Sequence, residues 1–200
     1  MNTIELFSGT QSFSKVAREL GHETFCVDNN PEFDNDLTFD LCNGFPKELV
    51  DKFKEADIIW MSPMCSALSI ASGNKHWTID RQPKTENAKI GLNLLNICKQ
   101  IRGVCIMFNK KYIIENPRAR ARWFLPISDR QTAWYCQYGD KRAKPTDIWT
   151  NVPIKFRFCH NGNPDHEPVP RGSKTGTQGM KKIDRYKIPQ QLCEEIIDSC

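Results

Sequence analysis

Asp57-Ile-Ile-Trp60-Met-Ser62-Pro63-Met64-Cys65-Ser66 and, fifty residues later, Tyr112-Ile-Ile-Glu115-Asn116-Pro117 are the two stretches whose reading decides the fold. Each is an apolar strand ending in a reactive group, first a thiol behind a proline turn and then a carboxylate. Open α/β sheets place their ligands at strand ends, and a nucleophilic cysteine with an acid is a means of covalent catalysis. A third stretch opens the chain. Ile4-Glu5-Leu6-Phe7-Ser8-Gly9-Thr10-Gln11-Ser12 reads as a strand running into a small-residue turn and a helix.

Outward from these three, strand-like and helix-like stretches alternate. Strands are expected near 2–7, 23–28, 36–39, 56–61, 111–115, 132–137 and 146–150, and helices near 12–20, 46–54, 86–102 and 189–199. Alternation of this kind predicts an α/β fold, a mainly parallel sheet with helices on both faces. The helix at 86–102 is the clearest, with Ile90, Leu94, Ile97 and Ile101 at helical spacing. Between 159 and 182 Gly, Pro and Asn dominate and apolar periodicity is lost, which predicts a loop or small irregular subdomain. Long loops of this type are usually functional or disordered.

Two hundred residues with 39% hydrophobic content suit one core. No apolar run reaches the roughly 18 residues of a membrane span, and the chain enters a strand without a signal-peptide pattern. A soluble protein of the cytoplasm is expected. Nine cysteines, an odd number with Cys26, Cys98, Cys105 and Cys136 inside apolar runs, predict buried thiols rather than disulfides. The net charge of +4 hides an asymmetry: residues 1–60 hold five basic and twelve acidic side chains, residues 101–150 ten basic and four acidic. The later stretch suits a polyanion.

Small residues at Phe7-Ser8-Gly9-Thr10 let the backbone approach a ligand, and the helix beyond turns its first amides toward it. Asp28 ends the second strand about 20 residues on, where an acid can bond ribose hydroxyls, and Asp40 ends the third. Together they form a layout for a nucleoside cofactor. Cys65 stands in a proline turn among Ser62, Ser66 and Ser69, and Glu115 ends its strand against Asn116-Pro117, where the proline biases the chain away from helix. A partly desolvated carboxylate of this kind can be protonated near neutrality and donate a hydrogen bond.

Leu6-Phe7-Ser8-Gly9, Ser62-Pro63-Met64-Cys65 and Glu115-Asn116-Pro117 resemble, in order and spacing, the S-adenosylmethionine motif, the Pro-Cys motif and the Glu-Asn motif of DNA (cytosine-5) methyltransferases. The chain looks most like the compact members often encoded by bacteriophages. The resemblance implies a Rossmann-like class I fold and S-adenosyl-L-methionine as cofactor. It implies that Cys65 attacks C6 of cytosine and that Glu115 assists at N3, while C5 takes the methyl group. Phe7, Ser8, Gly9, Thr10 and Pro63 would line the cofactor, with Asp28 on the ribose and Asp40 on the adenine amino group. The target base would be flipped from a duplex. The chain departs from the family at Met64, at Ser66 and in Gly9-Thr10-Gln11-Ser12. Of the family's Gln-x-Arg-x-Arg motif only Arg142 is carried over, as a contact to the flipped nucleotide.

Arg118 and Arg120 precede Trp123 and Phe124, and Lys141 and Lys144 precede Trp149. Arginines near aromatics suit phosphates and unstacked bases, so these residues, with Lys174, are the expected nucleic-acid contacts. DNA is the expected partner, with RNA or a free cytosine nucleotide as the rival substrate and a catalytically weak binding module as the rival class. The expected organisation is a catalytic domain at 1–154, a small target-contact segment at 155–187 and a C-terminal helix at 188–200 packing back. So small a segment implies little sequence discrimination, or a partner subunit that supplies it. The cell would be bacterial or phage-infected. Cys159, His160, His166 and Cys193 suggest zinc, but the closely paired ligands of structural sites are missing, and no metal is expected.

Overall fold

The computed structural model describes residues 1–160, 163–167 and 180–200. Seven strands form one sheet: β1 (Asn2–Leu6), β2 (Glu23–Asp28), β3 (Leu37–Thr38), β4 (Ile58–Met61), β5 (Lys111–Pro117), β6 (Arg130–Trp134) and β7 (Pro145–Thr150). The order is β3-β2-β1-β4-β5-β7-β6. The first five strands are mutually parallel, and β7 and β6 add antiparallel. The order reverses between β1 and β4, and open α/β sheets bind ligands at such a switch point, beyond the carboxyl ends of the strands.

Five helices accompany the sheet: α1 (Ser12–Glu19), α2 (Lys47–Glu55), α3 (Glu86–Met107), α4 (Lys182–Tyr186) and α5 (Gln190–Asp198). Strands buried on both faces read as continuous apolar runs, and Ile58, Ile59, Trp60 and Met61 are all fully buried. Alternate residues part to the two sides. Ile59, Met61, Tyr112 and Ile114 pack with Leu49 of α2 and Leu94, Leu95, Cys98 and Ile101 of α3. Ile58, Trp60, Ile113 and Ile148 pack with Phe13, Val16 and Ala17 of α1 and Leu192, Ile196 and Ile197 of α5. On that second face Phe13 stacks on Trp60 at 4.8 Å between ring centroids, a contact worth about 0.5–1.5 kcal/mol beyond burial.

Local chemistry sets the helix starts. Thr85 caps α3 by accepting from the Ala88 amide at 3.3 Å. Helix α1 has no side-chain cap, and Gln11 before it is left-handed at φ 54°. Its first amides are satisfied instead by Glu5 of β1, which accepts from Ser14 at 2.7 Å and Phe13 at 3.4 Å.

Several expectations shift. The buried face of α3 is Ala88, Gly91, Leu94, Leu95, Ile97, Cys98, Ile101 and Cys105, so Leu94, Ile97 and Ile101 pack as expected while Ile90 is 38% exposed. The helix runs to Met107, beyond the expected end. The strand expected at 132–137 stops at Trp134, because Tyr135–Tyr138 winds into a 3₁₀ turn. Helix α4 lies in the stretch read as irregular. All nine cysteines are free thiols. Among the described residues no helix is long and apolar enough to cross a membrane.

Candidate active site

Register puts the proposed groups at one level. Leu6 pairs with Val27 and with Met61, and Met61 pairs with Ile114. Phe7–Thr10 and Ser62–Cys65 lie in the turns after β1 and β4, Asp28 ends β2, and Glu115 lies near the carboxyl end of β5, which runs on to Pro117 beside β7.

The Cys65 turn is held from three sides. The Trp60 indole donates to Ser62 Oγ at 2.7 Å. Asn116 Nδ2 donates to the Pro63 carbonyl at 3.0 Å, tying the end of β5 to the turn after β4. The Cys65 carbonyl accepts from the Leu68 and Ser69 amides at 3.0 and 2.8 Å. The thiol itself is half-buried, flanked by exposed Met64 and Ser66.

Glu115 is buried and accepts from the Tyr135 hydroxyl at 3.0 Å through Oε1. Among the described residues Oε2 has no hydrogen bond. Burial pushes the Glu115 carboxyl up from the usual carboxylate range, opposed by Lys144 and by the Tyr135 bond. Burial also pushes the Cys65 thiol up, with the Glu115 charge adding and Lys144 opposing. Thiol and carboxyl therefore act on each other, and one ammonium acts on both. That ammonium lies 4.4 Å from the centroid of the Tyr135 ring. At the end of α4 the Tyr186 phenol feels the Cys65 thiol, and its side chain is exposed.

The first turn is closed by side chains. Gly9 N–H donates to Asp28 Oδ2 at 2.9 Å, and Asn30 N–H donates to Oδ1 at 2.9 Å. Ser8 Oγ donates to Asn35 Oδ1 at 2.9 Å, Thr10 and Ser12 hydroxyls lie 3.1 Å apart, and the Gln11 amide donates to the Asp34 carbonyl. Phe7 is left-handed at φ 58° and Gln11 at φ 54°. Non-glycine residues in this region are uncommon and strained, and these two bracket Gly9 at the switch point. Asp40 caps a 3₁₀ turn by accepting from the Cys42 amide at 2.9 Å. Asp28 and Asp40 thus hold backbone first, and each oxygen of a carboxylate can accept a second bond. Acceptors at the ends of β2 and β3 beside a backbone turn suit a nucleoside rich in donors.

The basic residues divide. Arg142, expected on a flipped nucleotide, is instead paired with Asp140 through Nε at 2.9 and 3.0 Å, because the two are close along one tight loop. Arg120, expected on phosphate, donates to the Ser69 carbonyl at 2.6 Å and to the Gly73 carbonyl, so it braces the loop after Cys65. Lys141 is exposed beside Glu167 at 3.1 Å, and Arg118 has an exposed side chain. Lys144, expected among the nucleic-acid contacts, sits over the Tyr135 ring, and its charge opposes the upward push on both Cys65 and Glu115. Lys174 lies outside the described residues. Sequence reasoning missed Glu5, Tyr135 and Asn35. Tyr135 carries no local signal, since what marks it is a carboxylate on another strand.

No family model matches the chain, and no curated relative matches it. Solved structures do. A methyltransferase of Entamoeba histolytica, EhMeth, superposes with a TM-score of 0.50 at 17% identity, over 78% of this chain and 55% of that one. A DNMT2 variant of Spodoptera frugiperda matches with a TM-score of 0.45 at 17% identity, over 78% and 53% of the two chains. A Dnmt2 methyltransferase of S. pombe matches with 0.45 at 16%, over 79% and 52%. The chain thus spans about half the length of these structures. Its architecture is an α/β Rossmann-like fold, shared with EhMeth.

Proposed function

We propose that this chain methylates C5 of cytosine in DNA, with S-adenosyl-L-methionine as methyl donor and Cys65 as nucleophile. One observation carries the reading. Cys65, in the turn after β4, and Glu115, near the end of the adjacent parallel strand β5, belong to segments tied together by the Asn116–Pro63 hydrogen bond, and the Glu115 charge helps push the Cys65 thiol up.

The residues divide the work as follows. Cys65 loses its proton, helped by the nearby Lys144 ammonium, and its sulfur bonds to C6 of the ring. The raised Glu115 carboxyl carries a proton to N3, with Tyr135 orienting it, so the charge pushed into the ring is neutralised there. C5 becomes nucleophilic. The bound cofactor supplies an electrophilic methyl group on a sulfonium. Loss of the C5 proton to a base then expels Cys65 as thiolate, and the N3 proton returns to Glu115. Phe7–Thr10, Pro63, Asp28 and Asp40 are the residues that would hold the cofactor, the acids taking its hydroxyl and amino donors.

A polynucleotide is favoured over a free nucleotide because exposed Arg118 and Lys141 lie on the later, basic stretch, with exposed aromatics at Trp123 and Tyr186. The short segment at 155–187 implies a lax target or a partner subunit, as in a compact phage-type enzyme acting in bacterial cytoplasm.

Labelled S-adenosylmethionine offered with duplex DNA, RNA or dCMP tests the reading. Label should enter DNA at cytosine C5 and vanish with Cys65→Ala. Label in RNA or dCMP alone would transfer the proposal to that substrate, and DNA binding without transfer would overturn the enzymatic reading. DNA carrying 5-fluorocytosine should trap a covalent adduct, and no adduct under turnover would remove Cys65 as nucleophile.

A further inference from the structure

The 3₁₀ turn at Tyr135–Tyr138 meets Cys159 and residues 163–167 at a cluster that the transfer chemistry leaves unused. Cys136 Sγ, Cys159 Sγ and a ring nitrogen of His166 all lie within 4.8 Å of one another. Cys159 Sγ stands 3.5 Å from His166 Nδ1. A tetrahedral zinc ion bonded at about 2.3 Å to sulfur and about 2.05 Å to nitrogen spaces such a pair by about 3.5 Å. That edge of the coordination shell is already in place. The thiols are 5% and 2% exposed and His166 is half-buried, so the donors converge from the protein side.

The surroundings show what a metal would do. Residues 163–167 and Cys159–His160 form no helix or strand. They are held by scattered bonds: Asn163 N–H to the His160 carbonyl at 3.2 Å, Glu167 N–H to the Lys141 carbonyl at 2.9 Å, and Gln137 Nε2 to Asp165 Oδ2 at 3.0 Å. Trp134 meets Phe158 edge to face at 5.8 Å. Small irregular regions without a core of their own commonly gain stability from a metal or disulfide staple. Two thiolates and an imidazole are a soft donor set that suits zinc.

We propose that Cys136, Cys159 and His166 bind a structural zinc ion, with water in fourth position, stapling Cys159 and residues 163–167 to the turn that carries Tyr135. Binding releases the two thiol protons and takes the neutral imidazole. Gln137 Nε2, 3.9 Å from Cys136 Sγ and bonded to Asp165, would orient both. The site differs from the set suggested by sequence. Cys193 lies on α5, where it feels Glu5 and Glu115, and Cys136 takes its place.

Full-length protein prepared with reductant and excess zinc, then desalted, should retain about one zinc per chain by elemental analysis. Cobalt in its place should show a thiolate-to-metal absorption band and the intense visible bands of a tetrahedral site. Cys159→Ser and His166→Ala should each lose most of the metal, while Cys42→Ser, at an exposed cysteine elsewhere, should keep it. A chelator should lower the melting temperature of the parent protein and leave the Cys159→Ser variant unmoved. The cobalt spectrum reads the ligands in the unaltered protein, so misfolding of a variant does not blur the result. Three results would each overturn the proposal: no retained zinc after loading, a cobalt spectrum without the thiolate band, or a Cys136–Cys159 disulfide in freshly reduced and desalted protein.

Discussion

Glu5 and Glu115 are two carboxylates buried on the same face of one sheet, 2% and 7% exposed, and the fold uses them for different ends. The Cys193 thiol on α5 feels both. Burial pushes both up, Glu5 to about 7 from 4.5. The difference lies in their partners. Both Glu5 oxygens accept amides at the start of α1, so its charge compensates a helix terminus. Glu115 accepts from Tyr135 at one oxygen and keeps the other free among the described residues, beside a thiol and an ammonium. Burial alone therefore does not mark a reactive carboxyl, because an uncommitted oxygen facing a nucleophile is also required.

The contrast should break hardest at Glu115. Glu115→Gln is expected to cut methyl transfer by about 10²–10⁴-fold, with a melting temperature close to that of the parent protein. A variant that melts early with little loss of transfer per folded molecule would make Glu115 a second Glu5.

Next comes pH. An acid whose folded pKa exceeds its unfolded value binds more protons folded than unfolded, so stability falls as pH rises between the two. For Glu5 the contribution is fully present below about 4.5 and lost above about 7, a swing of roughly 3 kcal/mol. Glu115 adds in the same direction. Asp129 and Asp140, held below 3.8 by Arg102 and Arg142, act in the opposite sense and at lower pH, as their contribution is lost when pH falls through their folded values. Thermal melts from pH 4.5 to 7 should show the decline, and Glu5→Gln should flatten it. An unchanged slope would remove Glu5 as its source.

Glu5→Leu sharpens the other side of the comparison. It strands the Phe13 and Ser14 amides and should cost about 1–3 kcal/mol in denaturant titration, with transfer per folded molecule largely kept.

The smallest effect concerns Lys144. Lys144→Ala should slow iodoacetamide capture of Cys65 at neutral pH by roughly 3–10-fold, as a thiol loses its nearby positive charge. The same change at Arg142, already paired with Asp140, should leave the capture rate nearly unmoved. Equal effects would mean that both cations reach the thiol.

How far the sequence could be read depended on how local the deciding physics is. The buried parallel strands were legible because Ile58-Ile59-Trp60-Met61 and Tyr112-Ile113-Ile114 carry their own apolar signal and end in proline turns. On α3 the expected face differs at Ile90, which is exposed, since apolar residues on several sides of a long helix do not say which edge meets the sheet. The end of β6 differs from the expectation because Tyr135 continues the strand-like composition, while the chain winds there into a 3₁₀ turn closed by left-handed Gly139. Arg120 reads as a nucleic-acid contact and Arg142 as a contact to the flipped nucleotide because a sequence shows their charge and not the carbonyls and carboxylate they also bond.

The sequence by itself determined the alternation of strands and helices, the turn after β1, and a thiol and a carboxylate at the ends of two central strands, because propensity, hydrophobic runs and proline act over a few neighbouring residues. The tertiary structure alone decided that Tyr135 meets both Glu115 and Lys144, that Glu5 caps α1 and that Cys136 joins Cys159 and His166. Those contacts follow from the antiparallel return of β6 and β7 and from the docking of α1 and α5, where chain closure and burial bring together groups that carry no mark of one another along the backbone.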